Sequence, residues 1–209
     1  MKFYDMALAP SPRRVRMFIA EKGIDIPVVQ VDLRGGEHLN PEFAKLNPWC
    51  TVPVLELDDG TCISEAIACC RYLEAAFPEP PLMGATPVEQ GVIAMWEHRV
   101  EWDGFIAGAE MLRNSAERLK GRALTGAESF EQIPELAERG RKRIAVLYEM
   151  LDKRFGESEY LAGDSFTVAD ITALIAIDFV RRQKLEIPEE RPHVQRWHDA
   201  ISARPSAQL

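Results

Sequence analysis

Between residues 78 and 87 the chain carries four prolines, Pro78, Pro80, Pro81 and Pro87, together with Gly84. Proline lacks an amide hydrogen and fixes φ, so neither a helix nor a central strand runs through such a stretch. The chain must therefore be built from two pieces. Its 209 residues suffice for two modest cores, since domains commonly run to about 100–150 residues. The expected division is residues 1–79, a linker at 80–87, and residues 88–209.

Strand and helix signals alternate before the break. KFYDM (residues 2–6) reads as a short strand, and SPRRVRMFIAEKG (residues 11–23) reads as a helix. That helix has Pro12 in its first turn, Gly23 at its end and Ser11 at the N-cap. The β-branched run from Pro27 to Leu33 supplies a second strand, completing a parallel crossover. A polar loop and a short helix near PEFAKL follow. VPVLEL, the turn Asp58-Asp59-Gly60 and TCI then spell an antiparallel hairpin. From Ser64, the residues Ile67, Cys70, Leu73 and Phe77 recur at three- and four-residue steps, the spacing of a buried helical stripe. The first half thus reads βαβ-α-ββα around a mixed four-stranded sheet.

Beyond the break strand signals largely vanish. A helical stretch spans about 88–120, a second aligns Ile144, Leu147, Leu151 and Phe155 on one face, and two more fall near 167–182 and 193–203. Thr167-Val168-Ala169-Asp170 has the form of a capping box, with Phe166 set to staple onto Ile171, a feature that serves folding and not chemistry. The second half reads as an all-α bundle.

Hydrophobic residues make up 46% and charged residues 28%, so the whole chain is expected to fold. A formal net charge of −8 argues against nucleic acid or an anionic membrane as partner. An anionic ligand would need a local basic site. The N-terminus MKFYDMALAP lacks an apolar run and a cleavage site, and no segment is long enough to span a bilayer, so the expected compartment is cytoplasmic. Cys50, Cys62, Cys69 and Cys70 form no CxxC pair and no ligand spacing with the histidines, so no metal is expected.

Several residues could carry chemistry. A serine opening a helix just after a strand sits where backbone amides and the helix dipole favour an anion, although such serines more often simply cap. Val52-Pro53 stands before a strand; a cis bond there would offer the Val52 amide and carbonyl to a peptide-shaped ligand, while a plain strand-entry proline is the blander reading. Glu65 begins a helix and could cap it or grip an ammonium group. His38, on a glycine-containing loop, could pair with a carboxylate or stand solvated.

Taken in order, these segments resemble the glutathione S-transferase family, of the serine type found in cytosolic bacterial-like members. LAPSPRRVRMFIAEKGI, GGEHLNPEF, NPWCTVPVLEL, ISEAIACCRYLE, FTVADITA and the closing RPSA carry the resemblance across nearly the whole chain. It implies a thioredoxin-like N-terminal domain that binds glutathione, a helical-bundle domain contributing the electrophile pocket, and a homodimer. Under the resemblance Ser11 would donate a hydrogen bond to the glutathione sulfur. Val52 would pair its backbone with the cysteinyl unit, Pro53 would be cis, and Thr51 would line the groove. Glu65 would hold the γ-glutamyl end and His38 the glycyl carboxylate.

Two positions depart from the family pattern. Ala66 stands where a serine hydroxyl usually follows the acidic residue, and Cys50 stands where glycine is usual. Cys50 keeps a glutathione-dependent thiol reductase or isomerase as an alternative, although mixed-disulfide chemistry at position 11 would need a sulfur nucleophile. Ala66 keeps a non-catalytic glutathione-fold binding module as another. Tyr4 is a rival hydroxyl to Ser11, and Trp96, Trp102, Phe105 and Met111 suit a pocket wall, a core or a dimer interface.

Overall fold

A computed structural model describes all 209 residues. Contacts group them into two units: Met1–Pro80 with residues 124–129 and Leu209, and Pro81–Ala123 with residues 130–208.

The first unit runs β1 (Lys2–Asp5), α1 (Pro10–Glu21), β2 (Val28–Gln30), a 3-10 turn (Glu37–Leu39), α2 (Pro41–Leu46), β3 (Val54–Glu56), β4 (Cys62–Ser64) and α3 (Ala66–Ala76). The strands lie in the order β2-β1-β3-β4, parallel between β1 and β2 and antiparallel across β1-β3 and β3-β4. Side chains alternate across the sheet, so Phe3 and its partner Leu55 are fully buried on one face. Tyr4 and Val54 turn to the other face, where they join Val31 and Phe43 of α2. In α3 the buried stripe is Ala66, Cys69, Cys70 and Leu73; the expected Ile67 and Phe77 are only half-buried.

One local expectation is corrected. The N-cap of α1 is Ala9, not Ser11: Ala9 is extended (ψ 134°), Pro10 takes the first helical position, and Ser11 lies inside the first turn. Proline suits that first position because its missing amide hydrogen costs no helical bond and its φ is already helical.

The second unit contains α4 (Pro87–Val100), a π-helical turn (Glu101–Ile106), α5 (Ala107–Arg113), α6 (Pro134–Glu157), α7 (Val168–Arg181) and α8 (Pro192–Ser202). A capping box unnoticed in the sequence, Thr86 with Glu89, starts α4. The helical run expected to reach about residue 120 stops at Arg113. Asn114 Nδ2 and Ser115 Oγ turn back to the carbonyls of Glu110 and Met111, at 2.9 and 2.6 Å, and so compete with further helical bonding.

On α6 the aligned Ile144, Leu147, Leu151 and Phe155 are all buried. Every residue of α7 from Val168 to Ile177 is buried, as befits a helix at the centre of a bundle. The Thr167–Asp170 capping box is present. The Phe166 ring, expected on Ile171, packs edge-on to Tyr160 and beneath the Arg204 guanidinium. No helix is long and apolar enough to cross a membrane.

Candidate functional site

Sheet register brings the sequence candidates to one end of the first unit. Asp5, the last residue of β1, pairs with Gln30, the last of β2, so the chain leaves both parallel strands at the same edge. β3 runs the opposite way: Tyr4 pairs with Val54, which puts Thr51, Val52 and Pro53 beside the end of β1. Val54 in turn pairs with Ser64, so Glu65 leaves β4 at that edge as well. The turn from β1 into α1, the entry to β3 and the exit from β4 thus meet at one rim.

Ser11 is half-buried in the first turn of α1. Pro10 and Pro12 have no amide hydrogen and the amide of Arg13 already bonds the Ala9 carbonyl at 3.3 Å, so Ser11 carries the one uncommitted amide among these residues. Its hydroxyl also makes no bond within the chain. The first turn holds no acidic residue, and of the arginines at 13, 14 and 16 the last is committed to the Asp5 carboxylate, at 2.7 and 2.6 Å.

The Val52–Pro53 peptide is cis. Val52 lies outside the β3 ladder, and its amide and carbonyl bond no other backbone group. The loop before it hangs on Asn47, a buried residue absent from the sequence candidates. Asn47 Nδ2 donates to the carbonyl and to Oγ1 of Thr51 at 2.8 and 3.0 Å, and its Oδ1 accepts from the Trp49 amide at 3.1 Å. The Asn-Pro pair in NPWC was the available signal, since asparagine side chains bond backbone groups two residues on.

Cys50 has φ 54°, in the left-handed region that suits glycine. Its thiol is buried, with Sγ 3.8 Å from the Pro48 carbonyl. Glu65 is exposed at the N-cap of α3 with φ 69° and no capping bond from its side chain. Such a conformation costs about 1–3 kcal/mol in a non-glycine residue and collects at ligand sites. Ala66 is buried just behind it. His38 is buried on the 37–39 turn, contrary to a freely solvated loop histidine.

Tyr4 does not share this rim. Its hydroxyl donates to Glu56 Oε2 at 2.7 Å, toward the far end of β3, and burial followed by the Glu56 carboxylate pushes its pKa up to about 12. A phenol so held does not supply a thiol-activating group.

A mixed sheet of this order with a cis proline heading β3, followed in the chain by a helical bundle, is a thioredoxin-like domain joined to an all-α one. The family of glutathione S-transferase N-terminal domains matches residues 9–76, and that of the C-terminal domains matches residues 115–205. Glutathione S-transferase 2 of Saccharomyces cerevisiae is 37% identical, over 99% of this chain and 87% of its own length. Glutathione S-transferase 3 of Zea mays is 32% identical, over 100% and 91%. Among solved structures, a glutathione S-transferase domain-containing protein of Marinobacter aquaeolei superposes with a TM-score of 0.92 at 39% identity, covering 99% of this chain and 100% of the other. Gtt2 of Saccharomyces cerevisiae gives 0.91 at 36%, covering 100% and 99%. The chain belongs to the glutathione S-transferase family.

Proposed function

We propose that this enzyme binds glutathione on residues 1–79, ionises its thiol at the tip of α1 and delivers the thiolate to an apolar electrophile. The observation that carries the reading is the pairing, on Ser11, of an uncommitted hydroxyl with an uncommitted helix-tip amide. A free thiol ionises near pH ~8.5, so only a few per cent is nucleophilic at neutrality. Two donors and the helix dipole that lower this by about two units supply roughly 2.7 kcal/mol and make most of the bound thiol reactive.

The remaining roles follow the rim. Val52 pairs its free amide and carbonyl with the cysteinyl backbone, a one-strand addition. Glu65 holds the γ-glutamyl ammonium, His38 meets the glycyl carboxylate, and Thr51 lines the groove. Ala66 offers no hydroxyl to the γ-glutamyl carboxylate, which costs a charge-assisted bond worth about 1.5–3 kcal/mol. A reductase built on Cys50 is disfavoured by burial of its thiol. The assembly is proposed to be a homodimer, and exposed Val88 and Met95 of α4 with Trp102 of the π-helical turn are the face assigned to a second copy.

The test uses conjugation of a chloronitroarene with ultraviolet titration of the bound thiol. Ser11→Ala removes the hydroxyl and keeps the amide, so turnover is expected to fall about tenfold or more with the thiol pKa rising. Ser11→Pro removes the amide too and is expected to be worse. A bound thiol that titrates in the wild type as it does in buffer overturns the proposal.

A further inference from the structure

The turn that carries the chain from β1 to Ser11 is held by side chains from three elements. The Asp5 carboxylate, only 1% exposed, accepts from Arg16 Nη1 on both oxygens, at 2.7 and 2.6 Å, and from Gln30 Nε2 at 2.9 Å. Arg16 then gives Nη2 to the Ala7 carbonyl at 3.0 Å, and Gln30 Oε1 receives the Ala7 amide at 3.0 Å. Both polar backbone groups of Ala7 are thereby fixed, one from α1 and one from β2, by two side chains that share one carboxylate. The amide of Ala9 closes the turn onto the Met6 carbonyl at 2.9 Å, and α1 begins at the next residue.

The chemistry of Gln30 is specific. An ionised Asp5 only accepts and a backbone amide only donates, so the residue between them must donate from one atom and accept at the other. Glutamine does both within one side chain. Methionine matches its length with no polar atom, and glutamate would face Asp5 with a second carboxylate.

Resting on the thiol-activation reading above, we propose that Gln30 is a positioning residue, which with Asp5 and Arg16 fixes the turn so that the Ser11 donors meet the glutathione sulfur. A small displacement of such donors loses much of their effect, because stabilisation of developing charge depends on preset geometry. Gln30 lies exposed on the edge strand, so its replacement leaves the core intact.

The test compares wild type, Gln30→Met, Gln30→Glu, Ser11→Ala and the double variant Gln30→Met/Ser11→Ala in the full chain. Circular dichroism and thermal melting confirm folding. Gln30→Met is expected to raise the bound-thiol pKa by about half a unit and lower kcat about threefold at neutral pH, with KM for glutathione unchanged. Gln30→Glu is expected to raise the pKa further. In the double variant Gln30→Met is expected to add less than it does alone, since it acts through Ser11. A thiol pKa unmoved by Gln30→Met, with Ser11→Ala still raising it, overturns this role and leaves the Ser11 reading standing. A pKa unmoved by Ser11→Ala overturns both.

Discussion

Asp170 is fully buried, yet its carboxylate accepts from the Leu161 amide at 2.9 Å, the Thr167 amide at 3.0 Å, Thr167 Oγ1 at 3.1 Å and Trp197 Nε1 at 3.1 Å. Asp170→Ala strands buried donors on three residues, so chemical denaturation is expected to show a loss of about 3 kcal/mol or more. Burial pushes the Asp170 pKa up to about 6, against the pull of those four bonds. The unfolded value is near ~3.9, so between pH ~4 and ~6 the native state holds the extra proton. This group's contribution to stability therefore falls as pH rises through that window and is level above it. Urea midpoints of the wild type are expected to decline relative to Asp170→Asn across the window, and parallel curves would remove Asp170 from the pH dependence. The capping role was legible in TVAD, whereas the Trp197 bond spans 27 residues and leaves no local trace. At the other end of the chain Ser11 lies at a helix start, as the strand-then-helix pattern predicts, but inside the first turn, because Pro10 takes the first helical position.

Helix and strand types were readable wherever hydrophobic spacing was regular, and less so where polar side chains end an element. Asn114 and Ser115 shorten a run whose apolar pattern continues past them. Close approach of two helices is likewise silent in periodicity. A Cβ added to Gly140 on α6 would lie 2.4 Å from the Ala107 carbonyl oxygen and 3.2 Å from the Met111 nitrogen, both on α5. Alanine favours a helix over glycine by up to about 1 kcal/mol, but here the two axes must separate, so Gly140→Ala is expected to destabilise by about 1–3 kcal/mol. Urea denaturation measures the sign, and a stabilised variant would show that the crossing yields freely. At the candidate rim the parallel crossover and the antiparallel hairpin are legible in strand composition and turn chemistry, while the β1–β3 pairing, Asn47 and the Asp5–Arg16–Gln30 cluster are contacts between elements that one-dimensional spacing does not encode.

For the whole chain, the exposed row of Val88, Met95 and Trp102 bears on assembly. If this face meets a second copy, Met95→Glu buries a charge against an apolar surface, and sedimentation is expected to shift from dimer to monomer. A wild-type monomer would remove the homodimer, and an unchanged dimer would move the interface elsewhere. If the tip of α1 receives the thiolate as proposed, the two prolines beside Ser11 bear on what it selects. Ordinary helix tips offer a fan of donors that wraps a phosphate or sulfate oxygen by oxygen. A tip stripped to a single hydrogen donor, with one hydroxyl beside it, matches a monatomic charge centre. Selectivity for sulfur over oxyanions would then be written into the backbone itself.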